Sequence, residues 1–161
     1  MRGNDQVIQR LNDALKAELK AIVQYIVHAE MCHNWGYHRL GDYIKKQAID
    51  EMRHAEGLIE RILFLEGAPK VDVMPTPKIG PNVKAQIEND LAAELEAVTR
   101  YNASVEVCAG AGDNASRALF ERMVKDEEEH ADFLEAQLFM IGEVGLDNYL
   151  AQQIHGGEAS H

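Results

Sequence analysis

The chain has two cysteines in 161 residues, Cys32 and Cys108, and their separation fits no thiolate metal or redox motif. Both read as free thiols in a reducing compartment. Proline is nearly as scarce. The four prolines fall at 69, 75, 77 and 81, so a single stretch is interrupted and the rest is free to be helical. No apolar run is long enough to span a membrane. The opening Met1-Arg2-Gly3-Asn4-Asp5-Gln6 lacks the apolar core of a secretory signal. The expectation is a cytoplasmic protein with no membrane partner. Basic runs are missing too: 16 Lys and Arg stand against 27 Asp and Glu, a net charge of −11. That balance argues against nucleic acid and gives a field that favours cations.

What is present is 46% hydrophobic residues, enough for one globular domain over residues 1–161. Apolar residues recur at helical spacing, predicting an all-α chain with long helices at about 4–33, 39–66, 82–109 and 114–141. A short fifth helix is expected at about 146–154 and a mobile tail at 156–161. In the first helix one face carries Leu11, Leu15, Glu18, Ile22, Tyr25 and Ala29. Gly67 and Pro69 are expected to end the second helix, and Gly142 and Gly145 to separate the fourth from the fifth. Asp113 reads as an N-cap. The breaks near Gly36 and Gly112 are short, so each helix pair should fold back as a hairpin. The proline-bearing connection at 67–81 differs. Extended, it reaches roughly 45 Å, about the 42 Å length of a 28-residue helix. It can therefore cross the bundle and leave the second and third helices parallel.

Six residues form two copies of one pattern. Glu18, Glu51 and His54 recur as Glu94, Glu127 and His130, each 76 positions later. Each copy is a lone Glu on one helix and an E-x-x-H on the next. The surrounding Leu15–Tyr25 segment also aligns with Leu91–Tyr101, with six of eleven positions identical, so a pseudo-twofold axis is expected. All six residues are in phase with the apolar stripe and should be buried. Burying ionised carboxylates without compensation costs several kcal/mol per ion, on the order of magnitude even after relaxation. Two divalent cations would cancel four carboxylates. Carboxylate and imidazole donors suit iron or manganese, and also zinc. Glu51 and Glu127 are placed to bridge, Glu18 and Glu94 to bind terminally, and each His to bind one metal, with the metals roughly 3.5–4 Å apart.

Four residues have two readings each. Asp50 and Asp126 either reach across to His130 and His54 as outer partners or are surface acids. Tyr25 and Tyr101, two turns beyond Glu18 and Glu94, either hydrogen-bond ligand carboxylates or are core tyrosines; Tyr25 is also a candidate electron donor. Met52 lies about 100° from Glu51 around its helix and faces away from the metal-binding set. With Leu19, Val23, Ile26, Val27 and Met31 broadening the apolar surface, it reads as an interface methionine. His28, His33 and His38 read as surface or interface histidines.

The chain resembles the bacterioferritins. The resemblance runs from Met1-Arg2-Gly3 to Gly145-Leu146-Asp147-Asn148-Tyr149-Leu150. It is carried by Gln24-Tyr25, Asn34-Trp35-Gly36, Ile49-Asp50-Glu51-Met52-Arg53-His54-Ala55, Ile59-Glu60-Arg61-Ile62-Leu63-Phe64-Leu65-Glu66-Gly67 and Asp126-Glu127-Glu128-Glu129-His130. It implies a ferritin-like four-helix bundle and a 24-subunit homo-oligomeric cage built from dimers. It also implies an iron-storage ferroxidase whose six residues hold two iron ions per subunit, with Fe(II) oxidised by O2 or H2O2. A b-type haem shared between two subunits, with Met52 as axial ligand, and a ferredoxin-type reductant for iron release are implied as well. Two positions depart from the pattern: Lys46 stands where some relatives carry a cavity-wall His, and Phe133 where some carry Trp. The rival readings are a rubrerythrin-like peroxidase, which would normally bring a Cys-x-x-Cys module, and a non-enzymatic haem-binding electron-transfer bundle.

Overall fold

Asn4 starts α1 (Asp5–Asn34). Its side-chain oxygen accepts from the backbone N–H groups of Gln6 and Val7, donors that the first turn leaves without intrahelical partners. Asn82 does the same for Ala85 at the head of α3 (Val83–Gly110), and Asp113 for Ser116 at the head of α4 (Asn114–Val144). Between them runs α2 (His38–Phe64), and α5 (Leu146–Ala151) follows α4. The computed structural model describes residues 1–155; the tail expected at 156–161 lies outside the described residues. Among the described residues all regular structure is helical.

The helix ends follow one device with two surprises. Gly36 and Gly112 adopt left-handed backbone, with φ 89° and 72°. The next N–H, of Tyr37 or Asp113, bonds back to the carbonyl of Cys32 or Cys108. After α2 the left-handed residue is Glu66, with φ 62°, rather than Gly67. Gly67 is needed for close approach instead, since a Cβ there would lie 2.8 Å from Cγ2 of Ile8. Gly142 does not end α4, which continues to Val144 and turns at Gly145, φ 85°. One interior glycine costs a helix about 1 kcal/mol, too little to stop one held by packing. The fifth helix is shorter than the sequence suggests, ending at Ala151.

Contacts between helices set the direction of each. The N–H of Gly3 donates to Leu65 at 3.0 Å, so α2 returns alongside α1. The nonhelical crossover then travels along α1 from end to end. The Asn12 amide holds Ala68 and Lys70, Gln24 accepts from Lys78 N–H, and His28 accepts from Gly80 N–H. Gln24 meets Asp90 and Tyr101 meets Glu18, so α3 is antiparallel to α1 and parallel to α2. Arg61 of α2 holds Asp113 and Ser116 at the start of α4, and Tyr43 stacks on Phe133 further along, so α4 runs against α2. The result is the four-helix bundle with one long crossover.

The apolar core is in two lobes. One contains Leu11, Leu15, Leu58, Ile62, Phe120 and Met123. The other contains Ala29, Leu40, Ile44, Ile87, Leu134 and Ile141. Each fully buried side chain of this size contributes roughly 1.5–3 kcal/mol. Along every helix the repeated Glu and His residues fall between the lobes, so the polar centre is sealed from both ends of the bundle.

Candidate metal centre

Glu18, Glu51, Glu94 and Glu127 are between 1% and 2% exposed, and His130 is 6% exposed. His54 has a side chain only 10% exposed. Helical spacing explains this: each residue occupies a core position on a helix whose neighbouring turns supply the two apolar lobes.

The four carboxylates are not equivalent. Nδ1 of His54 lies 3.1 Å from Glu127, 3.5 Å from Glu51 and 3.6 Å from Glu18. Nδ1 of His130 lies 3.0 Å from Glu51, 3.5 Å from Glu94 and 3.9 Å from Glu127. Glu51 and Glu127 therefore serve both imidazoles, whereas Glu18 faces His54 and Glu94 faces His130. Two sets of ligand atoms each fall within 4.8 Å: Glu18, Glu51, His54, Glu127, and Glu51, Glu94, Glu127, His130.

Seven buried atoms in these six residues have no hydrogen-bond partner: Glu18 Oε2, both oxygens of Glu51, Glu94 Oε2, Glu127 Oε1 and both histidine Nδ1 atoms. Buried polar groups are ordinarily paired, and these all converge on one place. The donor set, four carboxylates and two imidazoles, fits a pair of divalent cations such as iron or manganese. Without cations, protons hold the site together. Burial and the charge of Glu18 push the Glu51 carboxyl well up, and burial and Glu18 do the same for Glu127. Burial alone would raise Glu18 too, but its close approach to Glu51 and His54, and the hydrogen bond from Tyr101, bring it below the usual value. Burial works against a charged imidazole, yet contact with Glu94 lifts His130 to about 9, and contacts with Glu127, Glu18 and Glu51 lift His54 strongly.

The outer contacts cross between the halves. Nε2 of His54 lies 2.8 Å from Asp126, and Nε2 of His130 lies 3.3 Å from Asp50. A carboxylate only accepts, so Nε2 carries a proton; once the second proton leaves Nδ1, each ring presents its Nδ1 lone pair inward. Tyr101 donates to Glu18 at 2.6 Å, and Tyr25 donates to Glu94. Burial first, then those glutamates, raise both phenols.

Other residues singled out from the sequence lie elsewhere. Met52 is 47% exposed, with Ile49 one turn away also exposed. Lys46 is exposed on α2. Phe133 stacks on Tyr43, ring centroids 3.5 Å apart. Both cysteines are free and buried, and burial raises Cys32 to about 12 and Cys108 to about 11.

His28 is a correction, because it does not sit on the surface with His33 and His38. It is fully buried. Its Nδ1 lies 2.9 Å from Asp90, its Nε2 accepts from Gly80 N–H, and Asp90 also accepts from Gln24. Sequence reasoning missed Asp90, although it stands one turn before Glu94 on the same face. Its donor partners, Gln24 and His28, belong to α1, 66 and 62 positions away, and no period within α3 points to them.

Among known proteins, the family model for a ferritin-like domain matches residues 8–141. The chain is 44% identical to the bacterioferritin of Brucella melitensis over 149 residues, covering 92% of each. It is 40% identical to the bacterioferritin of Mycobacterium leprae over 152 residues, covering 94% of this chain and 96% of the relative. With the bacterioferritin of Rhodobacter capsulatus it shares 40% over 149 residues, 92% of each.

Proposed function

This chain belongs to the bacterioferritins, and from that premise we propose that it stores iron by oxidising ferrous ions at the six-residue centre. The observation that carries the reading is the sharing of Glu51 and Glu127 between the two ligand clusters. A shared pair of carboxylates holds two substrate ions side by side, the arrangement that two-electron chemistry at paired metals uses. Glu18 with His54, and Glu94 with His130, complete one ion each.

The reaction balances simply. Two Fe(II) each give up one electron, and O2 or H2O2 takes both together with two protons, giving H2O2 or water. The chain's own residues then have defined work. Asp126 and Asp50 hold the imidazoles with Nδ1 inward. Tyr101 and Tyr25 hold Glu18 and Glu94 against rotation. The protons kept by Glu51, Glu127 and the histidines leave as cations bind.

Further parts of the reading rest on the family. The chain is one ferritin-like domain, assembled into a cytoplasmic homo-oligomeric cage of 24 with ferric mineral inside. A ferredoxin-type reductant releases the iron. Met52 fits a haem axial ligand shared with a second subunit, since its thioether is exposed beside exposed Ile49 on α2, with Val23 and Ile26 exposed on α1. A haem there would supply a one-electron centre. In a bundle that only transferred electrons, the seven unpartnered buried atoms would have no role.

Stopped-flow oxidation at two Fe(II) per chain tests the proposal. Glu18→Ala and His130→Ala should each abolish the fast phase while the assembly still elutes as the parent does. Oxidation at the parent rate in either variant would refute the assignment.

A further inference from the structure

A cavity of about 80 Å³ joins the metal-binding residues to the outside between α1 and α3. That volume holds several waters. Its floor is fully buried Glu18, Glu51, Glu94 and Glu127, and its rim is Lys20, Glu96, Arg100 and Pro75 of the crossover. Nη2 of Arg100 lies 3.3 Å from Glu96, which leaves Lys20 as the uncompensated charge of the rim.

The rim is where the two halves of the chain part company. At the 76-residue offset, Glu18 matches Glu94, Ala21 matches Ala97 and Tyr25 matches Tyr101, but Lys20 corresponds to Glu96 and Gln24 to Arg100. Gln24 is buried and committed to Lys78 and Asp90, whereas Arg100 is half-buried at the rim. Thus the floor is symmetric and anionic, while the rim carries net positive charge. An acidic protein with an acidic centre would be expected to draw cations down this shaft; the rim opposes that.

We propose that Lys20 and Arg100 form a cationic collar that slows ferrous ions in the shaft and so sets its ion selectivity. Small neutral species such as O2 or H2O2 pass the collar without a charge barrier, and divalent cations do not. The inference rests on the six-residue centre being a ferrous site, and it assigns rim residues that touch neither ligand carboxylates nor imidazoles.

The test uses the assembled protein and cobalt(II), followed by its visible absorption in stopped flow, with ferrous oxidation in parallel. Parent binding should quicken as ionic strength rises from about 0.02 to 0.5 M, since salt screens the collar. Lys20→Glu should bind cobalt about tenfold faster at low salt, within the range by which charged clefts alter on-rates. Its salt dependence should reverse in sign, with Lys20→Gln and Arg100→Gln intermediate. Final cobalt stoichiometry should stay at the parent value in all three. If Lys20→Glu binds cobalt to the same stoichiometry with the parent's rate and salt slope, the collar is refuted and the metal centre stands. If the parent binds no cobalt, both are refuted.

Discussion

Nε2 of His54 lies 2.8 Å from Oδ2 of Asp126, a residue 72 positions away on the opposite hairpin. The equivalent contact in the other half, His130 to Asp50, is longer at 3.3 Å, and Asp50 also lies 3.9 Å from Arg53. The two imidazoles are thus oriented with unequal firmness. Removing the outer partner of a metal-binding histidine typically costs 10–100-fold in affinity, to order of magnitude. Asp126→Asn should weaken cobalt(II) binding by about tenfold or more, and Asp50→Asn by less. Titration by isothermal calorimetry checks the order; equal losses would show that the distances do not matter.

Tyr101 donates to Glu18 at 2.6 Å with both side chains fully buried. Tyr101→Phe leaves a buried carboxylate oxygen without its donor and removes no apolar volume. A hydrogen bond to a charged group contributes about 1.5–3 kcal/mol, so the metal-free protein should unfold that much more easily in urea. Saturating divalent cation should recover part of the loss, because a cation held by the other oxygen of Glu18, Oε2, neutralises the same carboxylate.

The pH dependence follows from protons held at the metal-free centre. Glu51 and Glu127 are raised well above 4.5, and His130 is raised from 6.5 to about 9. Each holds its proton more tightly folded than unfolded. The resulting stability is complete below the ordinary values and is lost as pH climbs through the raised ones. Glu18 is lowered, so its contribution has the opposite sign and disappears on the acid side. Between pH 6.5 and 9 the metal-free protein should therefore lose thermal stability, while cation affinity increases. Differential scanning calorimetry with and without cobalt(II) reads both trends; a Tm flat across that window would contradict the proton-held picture.

His28 and Asp90 are each buried completely, and their contact ties the crossover to α3 through Gly80. Leaving a buried donor without its acceptor costs about 1–3 kcal/mol. Asp90→Ala should reach that range. Hydrogen exchange should accelerate at Gly80 and Lys78, whose N–H groups rest on His28 and Gln24. Gly80→Ala should also destabilise, since a Cβ would lie 2.5 Å from the backbone nitrogen of Gln86. Protected amides at 78 and 80 in Asp90→Ala would remove the anchoring role.

Met52→Leu keeps a similar volume on an exposed stretch of α2. It should abolish haem absorbance in purified protein while the fast phase of ferrous oxidation continues at the parent rate. Persistent haem absorbance would exclude Met52 as an axial ligand.

Periodicity alone placed Glu18, Glu51, Glu94, Glu127 and both E-x-x-H histidines on buried faces, because a helix of 3.6 residues per turn fixes which side chains share a stripe. The 76-residue repeat then made two equivalent half-sites legible. His28 was misread because a lone histidine beside an apolar stripe does not announce a buried carboxylate 62 positions later. Gly67 follows the end of α2 as expected, but a glycine near a helix end has two uses, left-handed backbone or close approach, and only Ile8 decides between them.

The sequence determined the kinds of donor, their number and their duplication. Tertiary structure decided which donors meet. That Glu51 and Glu127 are shared, that each tyrosine serves the other half's glutamate, and that Lys20 and Arg100 rim one shaft depend on how four helices rotate and slide against each other. Helical period sets direction around one axis; packing of the two apolar lobes sets the relation between axes, and no single segment contains that information.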